Sequence, residues 1–256
     1  MEIRQLIDKL TAKYPLDLQE DWDNSGLQIG SLDRELKGIL ISLDLEDEGI
    51  EFAIKNNCNL IITHHPYLFK DTKSIDFSDS FYKRLENVVK NDITVYALHT
   101  NLDKAYDGLN DNLCDILRLE NTRVLELDKE IGLGRFGEIS STKACDFAEF
   151  VKEKLNANKL VCYGNLDREI RNIAVCGGAG SSLFEDALVR DCDLMITGDV
   201  SYHMGMDYGD RGLVIIDPGH FASENHIIYK LEDEINKMTD CKVVTYSKED
   251  TFRTFI

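Results

Sequence analysis

The chain has 256 residues and a formal net charge of −18, with 47 acidic residues against 29 Lys and Arg. Binding to nucleic-acid phosphates requires basic surface, so this composition argues against a nucleic-acid partner. Seven widely spaced cysteines without a C-x-x-C motif exclude a disulfide framework and a zinc ribbon. No apolar run reaches membrane-spanning length and no signal-peptide pattern occurs, so we expect a soluble cytoplasmic protein with no membrane partner.

Short, continuous apolar runs in the first half predict parallel strands that are covered on both faces. Amphipathic patterns between and after them predict helices. In chain order, the predicted elements are a strand at 39–43, a helix at 46–57, a strand at 60–63, a helix at 80–91, a strand at 93–98 and a helix at 109–118.

The segment from about 120 to 171 differs in composition, and we interpret it as the start of a second domain. It contains a Gly-rich strand or turn, a helix and a strand, and it is followed by a second series of apolar runs. The predictions are a strand or turn at 131–139, a helix at 144–156, strands at 159–163, 173–176, 194–197 and 213–216, a helix at 183–191, a helical stretch at 222–238 and a last strand at 242–246 that could return to the first domain.

An internal repeat links the two halves of the chain. Residues 53–63 and 187–197 are identical at five of eleven positions, at an offset of 134. The same offset carries the apolar run that starts at Gly38 onto the run that starts at Asn172. A duplicated α/β unit is the simpler explanation, and chance similarity of two helix–strand units is the alternative.

Three short clusters of histidine and carboxylate residues follow predicted strands, where open α/β sheets place their chemistry. The first is Thr63-His64-His65-Pro66. Adjacent side chains of an extended backbone point to opposite faces, so His64 and His65 could each bind one of two metal ions. A chance histidine pair in a loop is the alternative.

The second cluster contains His99 and Asp103, and the third contains His220 and Glu224. Asp103 could bridge two cations or be a solvated loop residue, and His99 could bind metal or orient a metal ligand through a hydrogen bond. His220 and Glu224 are four residues apart, which places them on one face of a helix. Each cluster alone is weak evidence, and the conjunction of three strand ends is stronger.

Together, five residues supply three imidazoles and two carboxylates: His64, His65, Asp103, His220 and Glu224. Such a set suits Zn, Mn, Fe or Co better than Ca, and the absence of cysteine argues against a closed structural zinc site. Two divalent ions with open coordination positions could acidify bound water and so support hydrolysis.

Two further groups are candidates in the second half. Gly177, Gly178 and Gly180 lie between a strand and a helix, where backbone amides could bind an anion, although a tight turn is the simpler explanation. Thr197-Gly198-Asp199 is the repeat counterpart of Thr63-His64-His65, with Gly198 and Asp199 at the positions of the histidines. Asp199 and His203 are candidate catalytic acid/base groups, with a structural role as the alternative.

The motifs in combination resemble the family of GTP cyclohydrolase 1 type 2 homologs, over nearly the whole chain. The motifs are Trp22-Asp23-Asn24-Ser25-Gly26-Leu27-Gln28, Thr63-His64-His65-Pro66, His99-Thr-Asn-Leu-Asp103, Cys176-Gly-Gly-Ala-Gly180, Thr197-Gly-Asp199 and Asp217-Pro-Gly-His220 with Glu224. The resemblance implies duplicated α/β domains with mostly parallel sheets, the second inserted in the first. We predict the first domain at 1–125 plus 218–256, with the metal ligands, and the second at 126–217.

The resemblance also implies a dinuclear metal centre and a toroidal homohexamer. By the family pattern, His65 and Asp103 bind one ion, His64 and His220 bind the other, and Glu224 touches both. It implies hydrolysis of a nucleotide or other small phosphate-bearing molecule, as in a GTP cyclohydrolase. The alternatives are a non-enzymatic regulatory ring that binds a partner protein, and a metal store. Fold-level analogy does not choose among them.

Overall fold

The computed structural model describes residues 1–248, in which helices and strands alternate along the chain. The helices are α1 Ile3–Lys13, α2 Asp47–Lys55, α3 Ser80–Lys90, α4 Thr100–Lys104, α5 Leu109–Leu117, α6 Ala144–Lys154, α7 Phe184–Val189, α8 Tyr202–Asp210, α9 His220–Glu224 and α10 Ile227–Asn236, with 3-10 turns at Leu16–Leu18 and Ser181–Leu183. None of these helices is both long enough and apolar enough to cross a membrane.

The strands form two sheets, and five of their nine pairings within residues 1–248 are parallel. The strands are β1 Gly26–Ile29, β2 Gly38–Ser42, β3 Leu60–Thr63, β4 Thr94–Ala97, β5 Glu120–Val124, β6 Arg135–Lys143, β7 Val161–Tyr163, β8 Glu169–Val175, β9 Leu194–Ile196, β10 Val214–Asp217 and β11 Lys242–Tyr246. The predicted α/β class with mostly parallel pairing is confirmed.

Contacts divide the described chain into two compact units. Residues 1–102 and 227–248 form the first unit, and residues 103–226 form the second, so the second is inserted in the first. The units differ in extent from the predicted domains, which assigned 103–125 and 218–226 to the first domain. The physical reason is packing, because Leu113 and Leu117 of α5 are buried in the core of the second sheet and Ala222 of α9 packs against it.

The first unit contains a five-stranded sheet in the order β1-β4-β3-β2-β11. Strands β4, β3, β2 and β11 are parallel neighbours, and β1 pairs with β4 in the antiparallel direction. All four residues of β3 are buried, as expected for a central parallel strand covered on both faces. The predicted last strand forms as β11 and pairs with β2, so the expectation that it returns to the first domain is confirmed.

The second unit contains a six-stranded sheet in the order β5-β6-β8-β9-β10-β7. Strands β8, β9 and β10 are parallel, whereas the flanking pairings are antiparallel. Alternate residues of the parallel strands lie in two separate cores, with Leu194 and Ile196 in one and Met195 in the other. This alternation is the two-residue period of strands with helices or loops on both faces.

The structure confirms the duplication. Ile39 lies opposite Leu60 in the β2–β3 pair, and Ile173 lies opposite Leu194 in the β8–β9 pair, so both partners move by the offset of 134. The loop before each second strand also matches. Asn57 and its counterpart Asp191 both adopt left-handed conformations, with φ of 58° and 54°.

Some elements differ from the predictions. The helical stretch predicted at 222–238 is two helices, α9 and α10, because the chain turns between Glu224 and Ile227. The predicted Gly-rich strand or turn at 131–139 corresponds to β6, which begins at Arg135 and extends beyond the prediction. The sequence analysis missed α1 and α8.

Candidate metal centre

The first unit brings three histidines together at the ends of neighbouring parallel strands. Thr63 at the end of β3 lies opposite Ala97 at the end of β4, so the residues that follow them are close in space. His64, His65 and His99 each offer a ring nitrogen within 4.8 Å of the others. The ring centroid of His64 lies 5.0 Å from that of His65 and 5.2 Å from that of His99.

Each of these histidines has its Nδ1 atom held by an oxygen. The acceptor is the carbonyl of Leu98 for His64, at 2.8 Å, and carboxylate Oδ1 of Asp44 for His65, at 2.8 Å. Oδ1 of Asp23 lies 2.7 Å from Nδ1 of His99. Since an oxygen acceptor places the proton on Nδ1, the lone pair of each ring is on Nε2, which is the tautomer that metal-binding histidines adopt.

Asp23 is the centre of a buried hydrogen-bond network beside His99. Its carboxylate accepts from the His99 ring, from the Thr100 backbone amide at 3.1 Å, from the Thr100 hydroxyl and from the Ser25 hydroxyl at 2.9 Å. Burial would raise the pKa of Asp23, but the hydrogen bonds from His99 and Thr100 outweigh it and hold that pKa well below its usual range. Asp23 is therefore ionised and fixes the ring of His99.

The second unit contains a carboxylate–histidine–carboxylate arrangement on α9. Nδ1 of His220 lies 2.8 Å from Oδ2 of Asp199, and Nε2 of His220 lies 3.0 Å from Oε2 of Glu224. The four-residue spacing thus places His220 and Glu224 side by side, as predicted. Asp199 contacts Nδ1 of His220 as Asp44 contacts Nδ1 of His65. Asp199 therefore orients the ring of His220.

The glycine-rich loop makes room for this arrangement. A Cβ atom on Gly178 would lie 2.2 Å from Oε1 of Glu224, and one on Gly198 would lie 2.7 Å from the backbone nitrogen of His220. Both distances are far below van der Waals contact. These glycines therefore allow α9 to approach the loop closely.

The amides of the predicted anion-binding loop donate to groups of the protein. Gly177 donates to Oδ1 of Asn110 at 2.9 Å, Gly178 to Oγ of Ser223 at 3.0 Å, and Gly180 to Oγ1 of Thr197 at 2.7 Å. The loop geometry therefore directs these three amides at neighbouring side chains, two of which, Asn110 and Ser223, lie on α5 and α9.

Asp103 lies in the second unit, near the end of α4, and is buried. Its backbone carbonyl accepts a hydrogen bond of 3.0 Å from the side chain of Asn110, which also binds Gly177. Next to it, the carbonyls of Lys104 and Ala105 accept from Arg135, at 3.0 and 3.2 Å.

Arg135 is only 2% exposed, and the sequence analysis missed it. Its guanidinium also donates to Oδ1 of Asp111 at 2.5 Å and to the carbonyls of Gly132 and Gly134 at 3.0 and 2.9 Å. All three of its nitrogens thus donate, and Nη2 is the one that fixes the backbone that follows Asp103. The Gly-rich surroundings of Arg135 were the available signal, because they let backbone carbonyls approach a buried cation.

Two histidines are not held in this way. His203 is exposed on α8 and makes a ring contact with Tyr202, and within the described residues it has no hydrogen bond to Asp199. In His226, Nδ1 accepts from the Asn112 side chain at 2.7 Å and Nε2 lies 2.8 Å from the carbonyl of Ser223. Both nitrogens of His226 thus bond to groups of the protein.

Comparisons with known proteins place these residues in a family. The family model described as Duf34/NIF3 (NGG1p interacting factor 3) matches residues 1–251. A curated relative from Clostridium acetobutylicum, named GTP cyclohydrolase 1 type 2 homolog, is 36% identical over 93% of this chain and 92% of its own length. A relative of the same name from Methanocaldococcus jannaschii is 31% identical over 96% of this chain and 99% of its own.

Solved structures agree with the fold. A Bacillus cereus protein described as related to NIF3 superposes with a TM-score of 0.94 at 24% identity, covering 100% of this chain and 99% of that chain. Reduced HcgD from Methanocaldococcus jannaschii superposes with a TM-score of 0.83 at 29% identity, covering 96% and 97%. These likenesses extend over both units.

Proposed function

Because this chain belongs to the Duf34/NIF3 family, we propose that it is a metal-dependent hydrolase that acts on a nucleotide or a similar small phosphate-bearing molecule. The observation that carries the proposal is the pattern of histidine contacts. His64, His65, His99 and His220 each have Nδ1 held by an oxygen atom, and Nε2 of His220 faces the carboxylate of Glu224, whereas Nε2 of His226 lies against the backbone carbonyl of Ser223. A fixed Nδ1 with a lone pair on Nε2 is the support that metal-binding histidines require.

The proposed ligands of two divalent ions are three imidazoles and two carboxylates: His64, His65, Asp103, His220 and Glu224. This donor set fits Zn, Mn, Fe or Co, and the two carboxylates partly offset the charge of two ions. When bound, the ions would acidify water to a nucleophile near neutral pH.

The other residues of the centre orient the ligands. Asp44 and Asp199 hold the rings of His65 and His220, and the carbonyl of Leu98 holds His64. In this proposal His99 is a supporting group, fixed by ionised Asp23 and packed against the ring of His64. Such supporting partners usually contribute 10- to 100-fold to metal affinity or activity, so roughly that loss is expected when one is removed.

The choice of a nucleotide rests on the relatives. They carry the name GTP cyclohydrolase 1 type 2 homolog, and opening of the guanine imidazole ring is a hydrolysis that metal-activated water can perform. GTP is therefore the first substrate to test. In this proposal, Asp199 stays an orienting group and any proton transfer by His203 is secondary.

The test is metal analysis of the purified protein, followed by product detection with GTP and a panel of nucleotides and phosphoesters at defined metal loading. We expect two ions per chain and turnover that disappears on chelation. His220→Ala should lose metal and activity, whereas His226→Ala should keep both in the fraction that folds. A protein that holds two ions and converts no member of the panel would contradict the hydrolase.

A second candidate is a regulatory ring that binds a partner protein, and it is favoured by the family description, which names an interacting factor. In this candidate the metal centre has no catalytic role, and the predicted homohexamer is the functional form. Asp103→Ala distinguishes the two candidates. A regulatory ring should keep its partner and its assembly state, measured by light scattering, while an enzyme should lose turnover.

A further inference from the structure

Two exposed aromatic side chains lie beside the histidine cluster of the first unit. Trp22 is 59% exposed and Phe69 is 48% exposed, although both are large and apolar. Their ring centroids are 6.0 Å apart in an edge-to-face arrangement. The ring of His99 lies 6.2 Å from Trp22 and 6.3 Å from Phe69, so the three rings form one continuous surface.

The fold presents this pair rigidly. Residue 23, next to Trp22, is tied to His99 and Thr100 through its buried carboxylate. Residue 68, next to Phe69, is held on both sides of its backbone. Asn24 donates to the carbonyl of Leu68 at 2.5 Å, and the amide of Leu68 donates to Oε1 of Gln28 at 3.0 Å.

This network accounts for the polar residues of the Trp22–Gln28 segment, and it leaves the two aromatic rings without a role in the fold. Burying them against the core would have favoured stability, because each ring can bury a large apolar area. A rigid, exposed tryptophan beside convergent polar groups is instead typical of a small-molecule site.

We infer that Trp22 and Phe69 form a stacking platform for the planar ring of a heteroaromatic substrate, such as a nucleobase. The inference rests on the proposed function and adds the part of the substrate that these residues recognise. A ring on the platform lies against the edge of His99 and therefore next to His64 and His65. The platform thus orients the heterocycle toward the proposed metal ligands and takes no part in the bond-breaking step.

The chemistry favours a flat aromatic ring over an aliphatic group. Aromatic faces stack on every nucleobase, and loss of one stacking side chain typically weakens binding by about tenfold or more. A sugar phosphate lacks such a ring and gains nothing from the platform. The structure therefore predicts discrimination between a nucleotide and the same sugar phosphate without its base.

Trp22 is the only tryptophan of the chain, so its fluorescence reports directly on the platform. The experiment titrates the metal-loaded protein with GMP and, in parallel, with ribose 5-phosphate, and records the fluorescence of Trp22. A titration of free tryptophan amide with the same compounds corrects the fluorescence for light absorbed by the nucleotide. We expect saturable quenching by GMP and none by ribose 5-phosphate. Equal responses to both compounds, or to neither, would overturn the inference.

Variants separate the platform from a general surface effect. Phe69→Leu should raise the Kd for GMP about tenfold or more, and Trp22→Phe, measured by equilibrium dialysis, should raise it less because a ring remains. Phe77→Leu is the matched control, since Phe77 is also 48% exposed and lies in the same stretch of chain. It should leave the Kd within about twofold.

Two other outcomes are informative. If Phe69→Leu changes the oligomeric state and leaves the Kd for GMP unaltered, the surface is a contact between copies and the inference is wrong. If the purified protein binds no metal but GMP still quenches Trp22 and ribose 5-phosphate does not, the proposed hydrolase fails while the platform stands.

Discussion

The ends of β3 and β9 are repeat counterparts that hold different residues. Thr63-His64-His65 lies at the end of β3 in the first half, and Thr197-Gly198-Asp199 lies at the end of β9 in the second half. In the first, His65 comes from the strand end and is held by Asp44. In the second, the strand end supplies the carboxylate of Asp199, which holds a histidine from another element. One scaffold thus builds the same carboxylate–imidazole pair in two ways.

The scaffold beneath these ends is closely conserved between the halves. The side chain of Asn59 accepts from the amide of Lys37 at 2.8 Å, and its counterpart Asp193 accepts from the amide of Arg171 at 2.9 Å. Helix α4, which follows β4, and helix α9, which follows β10, are both five residues long. The comparison teaches that the fold preserves backbone positions, while the ligand types at those positions are free to exchange.

The largest expected effect on stability concerns the strand that pairs with the first strand of each repeat. This strand is β11, beside β2, in the first unit and β6, beside β8, in the second. Within residues 1–248, only the second half has a buried cation there, Arg135. Arg135→Met should destabilise the protein by about 3–5 kcal/mol, because it removes the donor to four backbone carbonyls and the cation that pairs with partly buried Asp111. Urea unfolding measures this. The control is Arg171→Met, which removes an exposed ion pair with Glu138 and should change stability by no more than about 1 kcal/mol.

The second effect tests why glycine replaces histidine at position 198. Gly198→Ala places a methyl group against the backbone of His220, which cannot move aside as a flexible side chain can. We expect a loss of about 3 kcal/mol, measured by urea unfolding. Gly49→Ala, on α2 against the ring of Tyr246, is the matched control and should be neutral or slightly stabilising. A Gly198→Ala protein as stable as the control would contradict this steric argument.

The third effect concerns Asp23, which fixes the ring of His99 in the first half. Asp23→Asn should cost about 2 kcal/mol at pH 7, because the variant lacks the charged acceptor of several hydrogen bonds. The folded pKa of Asp23 lies below its unfolded value, so its contribution is present above pH of about 4 and declines as the pH falls further.

Urea unfolding of the wild type and Asp23→Asn at several pH values measures this decline. The stability difference should shrink from neutral pH toward acid. Exposed Asp21→Asn should show little difference at any pH. A difference for Asp23→Asn that grows as the pH falls would be inconsistent with an ionised buried carboxylate.

The smallest effect tests the symmetry of the scaffold itself. Asn57 and Asp191 both adopt left-handed backbone conformations, which glycine adopts without strain. Asn57→Gly and Asp191→Gly should each change stability by less than about 1 kcal/mol and in the same direction. Thermal or urea unfolding resolves this, and shifts of opposite sign would show that the two loops are not equivalent.

Local sequence patterns predicted much of the fold. The strand at 60–63 and the last strand at 242–246 form with the predicted bounds, because continuous apolar runs and repeat spacing are local signals. The helix at 80–91 ends one residue earlier than predicted. The amphipathic stretch at 222–238 hid the break between α9 and α10, since its apolar face continues through the turn.

The supporting contacts of the site could not be predicted from spacing. Asp23 is 76 residues from His99, and Arg135 is 31 residues from the carbonyl of Lys104. Such pairs meet only after the sheets form. The histidines themselves were predictable because each directly follows a strand. The side-chain acceptors of the Gly177, Gly178 and Gly180 amides come from distant elements and could not be predicted from the local sequence.

The central claim is that a carboxylate in each half of the repeat orients a histidine for metal binding. Asp44 orients His65 in the first half, and Asp199 orients His220 in the second. The most direct test of this claim is the metal affinity of Asp44→Ala and Asp199→Ala beside the wild type, measured by competition with a chelator. We predict that each substitution weakens binding by about 10- to 100-fold while the fold is retained. Wild-type affinity in both variants, or a wild-type protein that binds no metal, would contradict the account.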